Sequence, residues 1–354
     1  MGSKNREFIS ILSIIILFII SSSAVPGTRV GTTTAQFLEF GYNSIGNAMG
    51  EAQVSLDQDL SCLYWNPAAL GNLKSNEIQI TYLPWIEGIK SSYIGAGYIY
   101  PSLGTFALSF YQTSFGEEKV TTVSRQEGTG EIFDGQDLCL GLSYGRKLAT
   151  WFSFGSTVKY IQSRIWHETA SAVAVDLGAI VNTWFFNSTN KPGDGLNIGM
   201  SISNYGTRMQ YDGIDLKDII DISPDEEGNY GFTAARYETG EWELPLVARI
   251  GISINPLVSE RHRLTLAGDF LHSNSNSEYV NAGAQYTIIF PALGQFFIRG
   301  GYKGLFMQDS QYGMTLGFGV LIQYLDNQAL KFDYAFRDTG VLGNMHTYSF
   351  SFLF

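Results

Sequence analysis

The last eight residues of the chain alternate between aromatic side chains and other ones, which are small and polar except for Leu353. The aromatic positions are Tyr348, Phe350, Phe352 and Phe354, and the polar positions are Thr347, Ser349 and Ser351. Because successive side chains of a β-strand point to opposite faces, this segment predicts a strand with one aromatic and one polar face. In a water-soluble sandwich the apolar faces of such strands meet inside a core, whereas in a membrane barrel they face lipid.

Alternation of the same kind extends back to about residue 77 and, with the turn signals between segments, predicts about 14 strands. Short connections at 101–103 and 326–327 alternate with longer ones at 116–136 and 210–244, which is the loop pattern of bacterial outer-membrane barrels. The mean hydropathy is +0.01, far below what long membrane helices would give. The predicted fold class is therefore all-β, a transmembrane antiparallel β-barrel of about 14 strands, closed so that no strand edge faces lipid.

The first residues have the features of a cleavable signal peptide. Lys4 and Arg6 form a basic start, residues 9–20 are apolar, and Ala24 ends a run of small residues suited to cleavage. The alternative is a membrane anchor, but the apolar run is shorter than the roughly 20 residues that a spanning helix needs. Residues 1–24 are thus predicted to direct export to the bacterial outer membrane. The formal net charge of −11 argues against a nucleic-acid partner.

Residues 25–76 precede the first strand and lack the alternation of lipid-facing segments. A barrel of about 14 strands has a lumen wider than that of a filled eight-stranded barrel and narrower than that of an open porin. We therefore expect 25–76 to form an N-terminal plug, or hatch, with a short helix around 48–52. Residues 77–354 are expected to form the transmembrane barrel.

No arrangement of residues predicts catalysis or a metal site. The sequence Gly141-Leu142-Ser143-Tyr144-Gly145 matches the G-x-S-x-G pattern, but it lies in a predicted strand with no helix after it. The four histidines lack metal-ligand spacing. We therefore expect no enzyme activity, no catalytic residue, no cofactor and no metal. The two cysteines, Cys62 and Cys139, are far apart in sequence, and their pairing is left open.

Ionisable residues fall on the predicted inner face of several strands. By the alternation of their strands they are Asp176, Arg249, Asp269, Lys303, Lys331, Asp333 and Arg337. Charges of both signs inside a barrel can pair with one another and hold a plug in place, or they can line a polar path for a solute. We favour the first interpretation.

The predicted external loop at 212–244 carries ten acidic and two basic residues. Its aromatic residues are Tyr230, Phe232, Tyr237 and Trp242. The loop can be a solvated acidic surface, a site where divalent cations bridge to anionic lipopolysaccharide, or a docking site for a basic partner. Aromatic side chains are favoured anchors in protein interfaces, although they can also fold such a loop against itself.

Three motifs resemble the amino-terminal signature of the PorV/PorQ outer-membrane family, which is related to the FadL-type long-chain fatty-acid transporters. The motifs are Phe37-Leu38-Glu39-Phe40-Gly41, Ala48-Met49-Gly50-Glu51-Ala52 and Tyr64-Trp65-Asn66-Pro67-Ala68-Ala69-Leu70. Two positions depart from the family pattern. Glu51 stands where the family has a second glycine, and Ala69 replaces the usual glycine of the last motif.

The resemblance implies a 14-stranded barrel with an N-terminal plug that contains Tyr64, Trp65, Asn66, Pro67 and Ala68. PorV-like members serve type IX secretion and bind the C-terminal signal domain of exported cargo, whereas FadL-like members move hydrophobic molecules through a plugged lumen. A fatty-acid channel needs an apolar pocket near the plug, and the inner faces assigned above are polar, glycine-rich or charged. This comparison favours the secretion component.

The partners expected from this combination are outer-membrane lipids, secreted cargo and other secretion components. The barrel-assembly machinery is expected to recognise the C-terminal strand that ends on Phe354. The identity of the cargo or solute, and whether the lumen is open, do not follow from the sequence.

Overall fold

The structure, a computed structural model, describes residues 31–354 except 58, 87, 188, 190, 192, 227, 229, 230, 308, 309 and 326. The predicted signal peptide at 1–24 and residues 25–30 lie outside the described residues.

Fourteen strands form the wall of a closed barrel. They are β1 (Glu77–Pro84), β2 (Lys90–Tyr100), β3 (Gly104–Lys119), β4 (Ile132–Ala149), β5 (Phe152–Ile165), β6 (Glu168–Asn182), β7 (Asn197–Gly206), β8 (Val247–Val258), β9 (His262–Ser273), β10 (Tyr279–Phe290), β11 (Gly294–Leu305), β12 (Met314–Leu325), β13 (Gln328–Asp338) and β14 (Asn344–Leu353). Each strand pairs antiparallel with its neighbour, and β1 pairs with β14 to close the sheet. The predicted fold class is confirmed.

Shorter elements accompany the fourteen wall strands, and one of them, Asp212–Gly213, extends the sheet beside the start of β6. They are an α-helix, α1 (Ser44–Ala48), four 3-10 helices (Gln36–Glu39, Leu60–Tyr64, Pro67–Asn72 and Gly340–Leu342) and short loop strands at Asp212–Gly213, Lys217–Ile220 and Thr233–Arg236. The last two of these strands pair with each other. No helix among the described residues is both long and apolar enough to span a membrane.

The two ends of the barrel differ in the length of their connections. One end carries the start of β1, the end of β14 and turns as short as 150–151, whereas the opposite end carries the long connections 120–131 and 207–246. Since outer-membrane barrels have short periplasmic turns and long external loops, we name these the periplasmic and the external end. The connection 183–196 is an unexpectedly long periplasmic one.

Side chains alternate between lumen and lipid along the wall. In β14, Ser349 is 1% exposed whereas the adjacent Phe350 is 48% exposed. The same strand pairs its backbone on both sides, with β13 and with β1. The backbone hydrogen bonds that lipid cannot satisfy are therefore made within the wall, and the exposed aromatic face is the surface that contacts lipid.

Residues 31–76, which we call the N-terminal segment, run through the lumen. At the external end the Thr34 amide donates to the Glu243 carbonyl oxygen (3.0 Å). At the periplasmic end Asn72 Nδ2 donates to Ser153 Oγ (3.0 Å). Helix α1 begins after Asn43, whose side chain accepts from the Ile45 amide. The helix was predicted around 48–52, but it ends at Ala48.

The candidate site: a filled lumen and a long external loop

The Tyr64–Ala68 motif lies buried in the lumen against the inner wall. Asn66 Nδ2 donates to the carbonyl oxygens of Val54 (2.8 Å) and of Ala179 in β6 (3.1 Å). Asn66 Oδ1 accepts from the Ala68 amide (3.0 Å) and so caps the 3-10 helix that Pro67 begins. Asn66 therefore joins two parts of the N-terminal segment to the barrel wall.

Glycines in the wall allow this close approach. A Cβ atom at Gly178 would overlap the side chain of Asn66, and one at Gly155 would overlap the backbone of Pro67. Both glycines are in wall strands, β6 and β5. At these positions the wall accepts the motif only because glycine has no side chain.

The N-terminal segment bridges the seam between the first and last strands. Asn43 Nδ2 donates to Gln79 Oε1 of β1 (2.9 Å). One residue later, the hydroxyl of Ser44 bonds that of Ser349 in β14 (2.7 Å). The Leu60 amide also donates to the carboxylate of Glu77 in β1 (2.9 Å). The segment thus holds both sides of the closing seam.

All seven predicted inner-face charges are buried. Asp269 Oδ2 accepts from the amides of Gln53 (2.7 Å) and Val54 (2.9 Å) in the N-terminal segment. Lys331 pairs with Asp59 of the same segment. These contacts attach the segment to β9 and β13.

The other inner-face charges pair within the wall or with Glu51. Asp333 pairs with Arg299 (2.7 Å) and Asp176 with Lys159 (2.6 Å). Arg249 donates to Ser203 Oγ (2.8 Å). The two remaining charges, Lys303 and Arg337, both contact the carboxylate of Glu51 (2.9 and 2.6 Å).

Glu51 occupies an unusual backbone position. Its φ is +66°, in the left-handed region that glycine adopts at little cost and other residues adopt at roughly 1–2 kcal/mol. This is the position where the family pattern has glycine. Burial alone would raise the pKa of the Glu51 carboxyl, but the charges of Lys303 and Arg337 outweigh it and lower the pKa to about 2. The carboxylate is therefore ionised and bound by two wall cations.

Sequence reasoning missed four members of this charge network. Arg299 lies four residues before Lys303 in β11, and Lys159 lies at an inward-facing position of β5. The same alternation of side chains would therefore have predicted both. Glu51 and Asp59 lie in the N-terminal segment, where no period applies. Only the positions of their wall partners reveal them.

One part of the inner wall is apolar, contrary to the expectation of polar, glycine-rich or charged inner faces. The inward-facing residues of β2 to β6 that form it are Tyr93, Tyr111, Cys139, Ile161, Ala170, Ala172 and Ala174. The N-terminal segment covers this surface: Tyr42 stacks on Tyr93 (4.4 Å between ring centroids) and Phe37 on Tyr111 (5.5 Å). The expectation failed because the sequence assignments covered few residues of these strands.

The connection 207–246, which we call the long external loop, exposes aromatic side chains. Phe232 is 89%, Tyr237 61% and Trp242 47% exposed. Tyr230 lies outside the described residues. Some of the acidic residues are paired, as Glu243 is with Arg208 (3.1 Å). Phe232 is therefore presented to solvent, whereas Tyr237 donates to Asp218 within the loop (3.0 Å) and Trp242 is about half exposed at the base of the loop.

The G-x-S-x-G match, the two cysteines and the four histidines make ordinary structural contacts. Ser143 of the G-x-S-x-G match lies within β4, and its hydroxyl bonds Thr157 (2.8 Å). Cys62 and Cys139 are buried and do not form a disulfide. The four histidines have separate partners: Asp215 for His167, Tyr286 for His262, Glu278 for His272 and Tyr334 for His346. Within the described part of the chain no cluster of three or more potential metal ligands occurs.

Solved structures similar to this fold are outer-membrane transporters. The toluene transporter TodX of Pseudomonas putida has 10% identity and a TM-score of 0.56, covering 88% of this chain and 98% of its own. The toluene transporter TbuX of Ralstonia pickettii has 10% identity and a TM-score of 0.51, and the match covers 88% of this chain and 97% of TbuX. A FadL homologue of Pseudomonas aeruginosa has 12% identity and a TM-score of 0.50, and the match covers 88% of this chain and 98% of the homologue. At these identities the likeness shows the fold alone.

The sequence comparisons are more specific. No curated protein matches the chain. A family model described as type IX secretion system protein PorV matches residues 23–239, which is more than half of the chain. This protein therefore belongs to the PorV family, and it is an integral β-barrel of the bacterial outer membrane.

Proposed function

We propose that this protein is the PorV-type component of type IX secretion, and that it docks secreted cargo at the cell surface. The observation that carries the proposal is the long external loop, which presents exposed Phe232, Tyr237 and Trp242 at one end of a barrel whose lumen is occupied by its own chain. Such a molecule is suited to binding at its external face. The proposed role is binding and transfer, with no catalytic step.

The loop combines two features that favour protein binding. Its excess of acidic residues attracts a basic partner over a long range, and salt weakens this attraction. Its exposed aromatic side chains then supply anchors that become buried in the complex. Asp221, Asp225 and Glu226 form no ion pair with a described residue, so they remain available to a partner.

Deleting residues 215–240 is expected to reduce attachment of cargo at the surface while the barrel still assembles. The deletion leaves the paired backbone of Met209 and Trp242 at the base of the loop and removes nothing from the wall. The measurement is the amount of cargo on the cell surface, alongside the amount of folded barrel in the outer membrane. Deletion of 121–130 in the other long external connection is the matched control and should leave attachment unchanged.

If the 215–240 deletion leaves secretion intact while loss of the whole protein impairs uptake of hydrophobic compounds, cargo docking is wrong. A FadL-like channel then becomes the function. The observation that favours this second candidate is the apolar inner wall of β2 to β6. In this structure Phe37 and Leu38 are packed on that wall, so uptake would require the N-terminal segment to move.

We propose further that residues 1–24 are a signal peptide, that 25–76 are a plug and that 77–354 form the barrel. The contacts of Asn66, Asp269 and Glu51 support the plug, since each joins the segment to the wall. The C-terminal strand ending on Phe354 is the proposed recognition element for barrel assembly. Outer-membrane lipids are the proposed partners of the exposed face.

Chymotrypsin treatment of the intact protein is expected to cleave the long external loop and to spare residues 35–72. Buried aromatic residues such as Tyr64 and Trp65 are inaccessible to a protease, whereas Phe232 and Tyr237 are exposed. Mass spectrometry of the products locates the cuts, and the heat-dependent electrophoretic mobility reports whether the barrel stays folded. Rapid cleavage within 35–72 of a folded barrel would exclude a plug.

A further inference from the structure

The periplasmic end of the barrel holds a polar cavity that the proposed function does not use. Its volume is about 640 Å³, within the roughly 300–1,000 Å³ typical of ligand sites. Ser55, Leu56 and Asp57 of the N-terminal segment contribute to its lining, and so do the connections β6–β7 and β8–β9. It therefore lies inside the ring of strands, where a lipid with its acyl chains in the bilayer cannot enter.

Basic side chains surround this cavity although the protein as a whole is acidic. Four basic residues line it, namely Lys74, Lys147, Lys191 and Arg263, against three acidic ones, Asp57, Asp194 and Glu260. Arg263 is paired with Asp194 (2.7 Å). The three lysines are exposed at the rim and form no ion pair with a residue that the structure describes. Asp57 and Glu260 line the same cavity and balance part of this charge, and the remaining positive excess is available to an anionic ligand.

Buried polar atoms without partners also line the cavity. Asn182 is 3% exposed and Ser55 is 1% exposed. Asn182 Oδ1 and Ser55 Oγ have no hydrogen-bond partner within the described structure. Leaving such atoms unpaired costs roughly 1–3 kcal/mol each, which a ligand with its own hydrogen-bonding groups can recover. A backbone amide is a suitable partner for the Asn182 oxygen.

We propose that this cavity binds a short acidic segment of a periplasmic protein. The three rim lysines contact the carboxylates of the segment, and Asn182 and Ser55 bind its backbone. The cavity faces away from the long external loop, so the inference does not depend on cargo docking. It assigns the barrel a second binding face, on the side from which a periplasmic component would approach.

The test measures binding of a fluorescein-labelled tetraglutamate peptide to the intact protein in detergent by fluorescence anisotropy. The triple variant K74Q/K147Q/K191Q is expected to bind at least tenfold more weakly than the wild type. The matched control, K90Q/K119Q/K217Q, removes three exposed lysines from the external end and should bind as the wild type does. Since the changed side chains are exposed, both variants should fold, and heat-dependent electrophoretic mobility verifies this.

Four results would overturn the proposal. The first is absence of tetraglutamate binding to the wild type, and the second is equal weakening in the two triple variants. The third is displacement of the peptide by inorganic phosphate at an equal concentration, which would reveal a simple anion site. A tetraglutamine peptide that binds as tightly as tetraglutamate would likewise contradict the role of the lysines.

Discussion

Replacing Glu51 with alanine is expected to lower the free energy of unfolding by about 3–5 kcal/mol, because it leaves two buried cations without their partner. Lys303 and Arg337 are both nearly inaccessible to solvent and both contact the Glu51 carboxylate. Two further nitrogens of Arg337 already lack a hydrogen-bond partner in the described structure, and without the carboxylate Arg337 would keep only the neutral side-chain oxygen of Asn47. Denaturant unfolding in detergent, followed by tryptophan fluorescence, measures the change.

Replacing Glu51 with glycine separates the effect of losing the carboxylate from the cost of the backbone conformation. Glycine adopts the φ of +66° without the cost that alanine meets there, so this variant should be more stable than the alanine variant by roughly 1 kcal/mol. Replacing the exposed Glu118 with alanine is the control and should change stability by less than about 0.5 kcal/mol. A similarly small effect at Glu51 would show that the wall does not need this ion pair.

The stabilisation by Glu51 has a defined pH dependence. Its folded-state pKa of about 2 lies below that of an ordinary glutamate. A carboxyl whose pKa is lowered by folding contributes its full stability above its unfolded pKa and loses it as the pH falls to the folded value. The difference between wild type and the alanine variant should therefore persist at neutral pH and vanish only as the pH approaches about 2.

Replacing Phe350 with arginine is expected to destabilise the barrel by about 2–4 kcal/mol if the side chain lies near the bilayer midplane. Phe350 is outward-facing and pairs with Ile80 of β1 and Phe332 of β13, both of which are also exposed to lipid. A guanidinium group would thus enter hydrocarbon. Unfolding in lipid bilayers is the appropriate measurement, because water reaches the outer face of the barrel more readily in a detergent micelle.

Replacing Phe232 with arginine makes the same chemical change in solvent. Phe232 is 89% exposed in the long external loop, so this variant should keep the stability of the wild type. Equal stabilities for the Phe350 and Phe232 variants would contradict the assignment of the aromatic face of β14 to lipid.

The barrel wall could be predicted from the sequence because its physical cause is local. Lipid on one side and a polar lumen on the other impose a period of two, which is visible in Leu330, Phe332 and Tyr334 against Lys331 and Asp333. The strand number follows from counting such segments. The seven charges placed inward by this period all lie at buried positions.

The contents of the lumen could not be predicted in the same way. The N-terminal segment has little regular structure, and its position is determined by single contacts such as those of Asn66 and Asp269. These contacts join residues more than 100 positions apart, which no local pattern encodes. The motif resemblance drew attention to Tyr64–Ala68, which the structure places in the lumen, but it did not identify the residues that they contact.

The contacts across the seam have a consequence for the order of assembly. Within two residues the N-terminal segment binds Gln79 of the first strand and Ser349 of the last, and it extends from the external loop to the periplasmic turns. A chain that fills the lumen from end to end is difficult to thread through a completed ring. The wall should therefore close around the segment, which acts as a template that brings β1 and β14 together in register.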